Sequence, residues 1–167
     1  YPDSAIFGGI GIYLYTYQDS SVSQGSWEEA RAAATNPNYD PVTLTETTWF
    51  RRIVESGQCN HVSNKIMYHV DPVIVNNNIT PTDTTICAGM ESGNITDDGP
   101  PSGGNGSYRY RWDLSTDAVE WDTTSLAASL PDLPSQTLFD STWFRRVVIS
   151  GACTDTAAIT IVNVHDT

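Results

Sequence analysis

The stretch "STWFRRVVISGAC" (residues 141–153) restates "TTWFRRIVESGQC" (residues 47–59), and the two copies begin 94 positions apart, 141 minus 47. In the second copy, residues 142–149 are rich in β-branched and aromatic side chains, and the run breaks at Ser150-Gly151. Such a run ending at a turn reads as a β-strand, and "AAITIVNV" (residues 157–164) reads as its antiparallel return. Working outward, "GGIGIYLYTYQDSS" (residues 8–21) lies over "GGNGSYRYRWDLST" (residues 103–116) at an offset of 95, 103 minus 8, and Trp27 matches Trp121 at 94, 121 minus 27. One unit is therefore written twice, with a one-residue slip in a loop.

The copies are unequal in length. Copy two extends back through "VNNNITPTDTTICAGM" (residues 75–90), whereas copy one opens level with about Thr96, so roughly twenty residues of copy two have no counterpart. The expectation is two domains, residues 1–72 lacking an N-terminal strand region and residues 73–167 complete, with Tyr1 read as a cut through a domain. The joining stretch "DPVIVNNNITP" (residues 71–81) is short and holds two prolines, which suits a semi-rigid connection.

Within copy two, "SYRYRWD" (residues 107–113) alternates, with Tyr108, Tyr110 and Trp112 on one face and Arg109 and Arg111 on the other. "DLSTDA" (residues 113–118) supplies turn residues, and "VEW" (residues 119–121) is expected to start the returning strand. The five tryptophans, Trp27, Trp49, Trp112, Trp121 and Trp143, mostly recur between the copies with strand alternation, which suits a core. Copy one carries one conflicting signal. "SWEEARAAAT" (residues 26–35) places Glu29 three residues after Ser26 and follows with alanines, so a short helical turn is possible there. Thr, Ser, Asp, Asn, Gly and Pro otherwise dominate, no long window has a clean helical period, and strands at such spacing with Gly and Pro turns predict an all-β sandwich.

The 167 residues carry 20 acidic and 8 basic groups, a formal charge of -12. That balance argues against nucleic acid or an anionic membrane surface as partner, since both require clustered Lys and Arg. No apolar stretch reaches the length of about 18 residues needed to span a bilayer, so no membrane insertion is expected.

The aromatic-Arg-Arg strand followed by Ser-Gly and Cys, the Tyr/Trp strand "YRYRWDLSTDAVEW" and the upstream "TICAG" together resemble the Ig-like repeat of very large secreted surface proteins of Bacteroidota, gliding-motility adhesins of the SprB kind among them. The resemblance covers nearly the whole chain. It implies tandem Ig-like β-sandwiches, an extracellular or cell-surface location reached by type IX secretion, and a structural or adhesive role without a catalytic residue. Partners would be neighbouring repeats of the same chain or neighbouring subunits of a fibre, with a surface glycan or protein as possible ligand. The strand missing from copy one would come from the preceding part of a longer chain or from another subunit, because an open sheet edge recruits strands. The resemblance also points to O-glycosylation at Asp-(Ser/Thr)-(apolar/Thr) triplets, here Ser4, Thr84, Thr123, Ser141 and Thr156. Asn78, Asn94 and Asn105 stand in eukaryotic-type sequons that would stay bare in a bacterium.

For a secreted β domain, Cys87 and Cys153 are expected to form a disulfide closing a loop of 66 residues (153 minus 87), worth roughly 4 kcal/mol through the unfolded chain. Cys59 matches Cys153, and its partner would fall in the missing segment, so it is expected to be unpaired or bonded outside these residues. His61, His69 and His165 lack metal-ligand spacing. No cofactor is expected; the acidic loops "TDDG" (residues 96–99) and "WDLSTD" (residues 112–117), with Glu120 and Asp122 behind, hold calcium as a minor alternative to solvated turns. Arg51-Arg52 and Arg145-Arg146 recur in both copies, and neighbouring strand residues face opposite ways, so a role in the fold is expected, across an aromatic ring or beside a carboxylate. The Gly-rich pieces at 7–12 and 102–107 precede strands, so they read as turns and not phosphate loops. No arrangement of nucleophile, base and acid stands out, and an enzyme is not expected.

Overall fold

The computed structural model describes residues 8–125 and 129–166, which are strands, turns and loops without a helix. The chain divides into two compact units, one ending at Val70 and one starting at Asp71. Unit 1 contains β1 (Leu14–Ser21), β2 (Glu28–Ala34), β3 (Thr48–Ser56), β4 (Cys59–Val62) and β5 (Ile66–Tyr68). These make one sheet in the order β2-β1-β3, with β4 and β5 pairing in turn along the far side of β3.

Unit 2 contains β6 (Ile79–Thr80), β7 (Asp83–Cys87), β8 (Met90–Glu91), β9 (Thr96–Asp97), β10 (Arg109–Ser115), β11 (Asp122–Thr124), β12 (Thr137–Leu138), β13 (Thr142–Ser150), β14 (Cys153–Thr156) and β15 (Thr160–His165). Its main sheet runs β11-β10-β13-β15-β7, with β14 also on β13. All pairings in it are antiparallel except β15 with β7, which is parallel. Two small antiparallel pairs, β6 with β9 and β8 with β12, complete the unit.

The twice-written stretch is the central strand of each main sheet, β3 and β13. Along β13 the even-numbered Thr142, Phe144, Arg146, Val148 and Ser150 are all buried, while Trp143, Arg145 and Ile149 on the opposite face are half-buried. The inner face of unit 2 packs Trp112, Phe144 and Val162 against Ile79, Ile95, Leu133 and Ala157, with Ile86, Leu114 and Leu138 around them. The small strand pairs bring Ile79 and Leu138, and the adjoining loops Ile95 and Leu133, so apolar side chains from two layers meet as in a β-sandwich. Each such fully buried side chain stabilises the unit by about 1.5–3 kcal/mol.

Both units use one device at the entrance to their first main-sheet strand. The amide of Asn105 donates to Ser150 Oγ at 3.0 Å and the Tyr108 hydroxyl donates to the Gly103 carbonyl at 2.9 Å; Ile10 to Ser56 (3.0 Å) and Tyr13 to Gly8 (2.7 Å) repeat the pattern. The turn requires glycine: Gly104 has φ +58°, and a Cβ there would sit 2.2 Å from Ser150 Oγ. These are the expected turns.

Two local expectations are corrected. Residues 28–34 form a strand and not a helical turn, because β1 offers them an edge: Ala34 lies across from Tyr15 and Arg31 across from Tyr17. Arg31 then lies over the rings of Tyr17 and Tyr39, 5.1 and 5.9 Å from their centroids, contacts that outweigh the helical preference of three alanines. The returning strand in unit 2 starts at Asp122 and not at Val119, since Asp117 Oδ1 accepts the amides of Val119 and Glu120 and holds that stretch as a turn.

Candidate functional site

The two arginines of each pair part company across the sheet. Arg146 points inward and is 0 % exposed. Its Nε donates to Asn77 Oδ1 at 2.9 Å, Nη1 to the Pro131 carbonyl at 2.9 Å, and Nη2 to Asp97 Oδ1 at 2.8 Å and the Asn78 carbonyl at 3.3 Å. The guanidinium also lies 5.4 Å from the Tyr110 ring. Asn77 in turn donates to Asp155 Oδ2 at 3.0 Å. A buried cation is tolerable only when its donors are matched and a carboxylate faces it, and here residues 77, 78 and 97 supply most of what Arg146 needs. It therefore ties the N-terminal segment of unit 2 to the main sheet.

Arg52 occupies the same place in unit 1, 94 residues earlier (146 minus 52), with its guanidinium 5.3 Å from the Tyr15 ring. Its Nη1 reaches the carbonyl of Pro37, the counterpart of Pro131, at 3.4 Å. Among the described residues unit 1 has no counterpart of Asn77 or Asn78, and Arg52 Nε is buried with no hydrogen-bond partner there.

The neighbouring strand carries the same contrast. In unit 2 β15 is flanked by β7, and Thr160 and Val162 are each 1 % exposed. In unit 1 the equivalent β5 pairs only with β3 among the described residues, and Ile66, Met67 and Tyr68 are 53 %, 55 % and 49 % exposed. The ring of Tyr68 closes on Phe50 (5.7 Å between centroids), Phe50 on Tyr39 and Tyr39 on Tyr17, an aromatic row where unit 2 has Val162, Phe144, Leu133 and Trp112. Gly103 lies against the Val73 carbonyl, 2.0 Å from where its Cβ would be, and the Cys153 thiol donates to the carbonyls of Asp71 and Pro72. Among the described residues nothing lies against their counterpart Gly8, and Cys59 is exposed.

On the outer faces, Arg145 stacks over Trp121 at 4.1 Å and donates through Nε to Asp113 Oδ2 at 3.2 Å; Arg51 stacks over Trp27 at 4.2 Å and donates to Gln18 Oε1 at 2.9 Å. Asp113, 3 % exposed at its side chain, also accepts from Arg111 and from the Thr123 hydroxyl. Burial pushes its carboxyl up, and the bonds from Arg111, Thr123 and Arg145 outweigh that and hold it below the ordinary aspartate value. The expectation that the tryptophans fill the core holds for Trp112 alone. Trp27, Trp49, Trp121 and Trp143 are half-buried, and Trp49 and Trp143 share the outer face of β3 and β13 with the stacked arginines.

Three carboxylates of the two candidate calcium loops are engaged elsewhere. Asp97 faces Arg146, Asp113 faces two arginines, and Asp117 Oδ1 accepts the Ser115 hydroxyl besides two amides. Among the described residues no three of His, Cys, Asp and Glu converge as a metal site. A shallow depression of about 340 Å³ lined by Asn94, Leu130, Pro131, Asp132, Leu133 and Pro134 has one carboxylate, and Asp132 already accepts the Asp97 amide at 2.9 Å.

The expected Cys87–Cys153 disulfide is not formed, and both thiols are free, as is that of Cys59. Cys153 pairs with Ser150 at one end of β13, whereas Cys87 lies beside His165, beyond the Thr142 end. The length of β13 alone separates them by roughly 26 Å at about 3.3 Å per residue, far beyond the roughly 7 Å between Cα atoms that a disulfide tolerates. Of the glycosylation candidates, Ser4 lies outside the described residues. Thr123 and Thr156 are exposed and Thr84 and Ser141 half-buried; Thr123 donates to Asp113, and Ser141 Oγ accepts the Val164 amide.

Residues 6–72 and residues 76–166 each match one family, described as a domain of unknown function (DUF8696). A search of curated proteins finds no match.

Proposed function

The chain belongs to this DUF8696 family, matched once in each half, and from that premise we propose that it is a non-catalytic structural and adhesive repeat module of a secreted bacterial surface protein or extracellular fibre. The observation that carries this reading is that the groups able to do chemistry recur in both units and serve the fold in both. The stacked Arg51 and Arg145, the inward Arg52 and Arg146 and the Ser-Gly corners occupy matching places in the two sheets. Duplicated scaffolding of this kind suits tandem arrays, in which each unit repeats the same contacts.

The resemblance to SprB-type adhesin repeats supplies the remainder of the reading: Ig-like sandwiches, type IX secretion, a cell-surface location and O-linked sugar at exposed hydroxyls such as Thr123 and Thr156. The test is electron microscopy of native material together with its intact mass. Extended arrays or regular filaments that label with an antibody to this chain on unpermeabilised cells support the proposal. A compact cytosolic particle would sink it.

One observation favours a second reading, a glycan-binding module: four half-exposed tryptophans lie outside the core, and aromatic faces stack on sugars. Saturable saccharide binding that is lost in Trp143→Ala and kept in Trp112→Phe would favour it.

A further inference from the structure

The corner at residues 103–107 does for unit 2 what residues 8–12 do for unit 1, with one chemical addition. Asn105 stands where unit 1 has Ile10, 95 residues earlier (105 minus 10), and in both the backbone amide donates to the matching serine, Ser150 or Ser56. The corner therefore does not need the carboxamide of Asn105. That side chain is followed by Gly106, the one Asn-Gly step in the sequence. Both residues are exposed, Gly106 has φ +82°, and a Cβ there would meet nothing within 4 Å. The Gly106 amide donates to no acceptor among the described residues. Asn105 Oδ1, by contrast, accepts two hydrogen bonds, from the Ser107 amide at 3.0 Å and from the Ser150 hydroxyl at 3.0 Å.

We infer that Asn105-Gly106 is a self-modification site, at which the chain converts its own asparagine to aspartate and isoaspartate through a cyclic imide. The exposed Gly106 N–H gives its proton to hydroxide, and the nitrogen attacks Asn105 Cγ to close a five-membered ring. The chain itself holds nucleophile beside target, so the step is intramolecular. Glycine raises no side chain against the closing ring. Negative charge developing on Oδ1 falls where the Ser107 N–H and Ser150 O–H already point, the placement that stabilises an oxyanion. The Cγ–Nδ2 bond then breaks, and Nδ2 takes a proton from water and leaves as ammonia. Water next opens the imide at either carbonyl. Attack at Cγ leaves aspartate; attack at the Asn105 backbone carbonyl leaves isoaspartate, whose chain runs through Cγ and is one methylene longer. Either product puts a new carboxylate beside Gly151, where a Cβ would lie 2.3 Å from Asp71 Oδ2 and 3.2 Å from Asn105 Nδ2. Like charges at that range repel, so the modification loosens the hold of this corner on Asp71 and Pro72, whose carbonyl accepts the Gly104 amide at 2.7 Å.

The full chain is kept native at about pH 8 and mapped by peptide mass spectrometry over time. The expected result is a gain of about 1 Da on the peptide carrying Asn105, ahead of every other asparagine, with isoaspartate among the products. The rate should rise about tenfold per pH unit, because one deprotonation precedes ring closure. Asn105→Gln, which would have to close a larger ring, should stop the gain. Separated by its added charge, the modified chain should exchange the Gly104 amide faster and leave β3 of unit 1 unchanged. A gain that comes first at another asparagine, that reaches Asn105 only after urea has unfolded the chain, or that is independent of pH overturns the inference. Unchanged exchange at Gly104 overturns the loosening of the corner.

Discussion

Arg52 and Arg146 are the same residue in the same register, and their different surroundings show how much a single buried cation depends on the segment that covers it. In unit 2 the guanidinium satisfies Asn77, Asn78, Asp97 and Pro131 at once. Arg146→Met would leave those acceptors unmatched and Asp97 without its cation, and is expected to destabilise unit 2 by about 3 kcal/mol or more in denaturant titration. Arg146→Lys should recover only part of this, because an ammonium cannot present the same planar fork. Asp113 gives a pH signature. Its folded carboxyl titrates below the unfolded value near 3.8, so the stability it adds is complete above about pH 4 and is lost as pH falls through the lower folded value. Asp113→Asn should therefore flatten the acid limb of melting temperature against pH while lowering stability at neutral pH.

At the scale of the strand, β13 and β15 decide the cysteine chemistry. They hold Cys87 and Cys153 at opposite ends of one sheet, so membership of one domain gave a misleading pair. Purified chain should titrate three thiols under native, non-reducing conditions, Cys59 and Cys87 rapidly and the half-buried Cys153 more slowly. A count of one would restore the disulfide. The same scale explains β2. The alanines of residues 26–35 favour a helix locally, yet the β1 edge and the Tyr17 and Tyr39 rings beneath Arg31 lie outside that window. The alternation in residues 107–113 was legible because it depends on nothing beyond the strand itself.

For the molecule as a whole, the two units differ in how much apolar surface they bury. Unit 1 has Tyr15, Phe50 and Val54 as its buried apolar residues among those described, whereas unit 2 has Trp112, Leu133, Phe144, Val148 and Val162 and adds Ile79 and Ile95 from its N-terminal segment. Two such isoleucines contribute roughly 3–6 kcal/mol together at 1.5–3 kcal/mol each. Unit 1 is expected to unfold first, seen as earlier exchange of β3 amides than β13 amides and as two calorimetric transitions. Trp112→Ala should lower the second transition, by about 3–5 kcal/mol in stability, and leave the first in place. A single transition in which both units melt together would contradict independent units.

What the sequence determined by itself was the repeat, the all-β class, the alternating strands and the Gly-Ser corners. All of these are written in local period, turn chemistry or self-similarity, which survive without knowledge of neighbours. The tertiary structure alone decided that four tryptophans lie outside the core, that residues 28–34 are a strand, that Cys87 and Cys153 are far apart, and that each Arg146 nitrogen has an acceptor where Arg52 Nε has no partner among the described residues. Each of those depends on which strands lie side by side and in what register, and that is fixed by packing between strands and not within one.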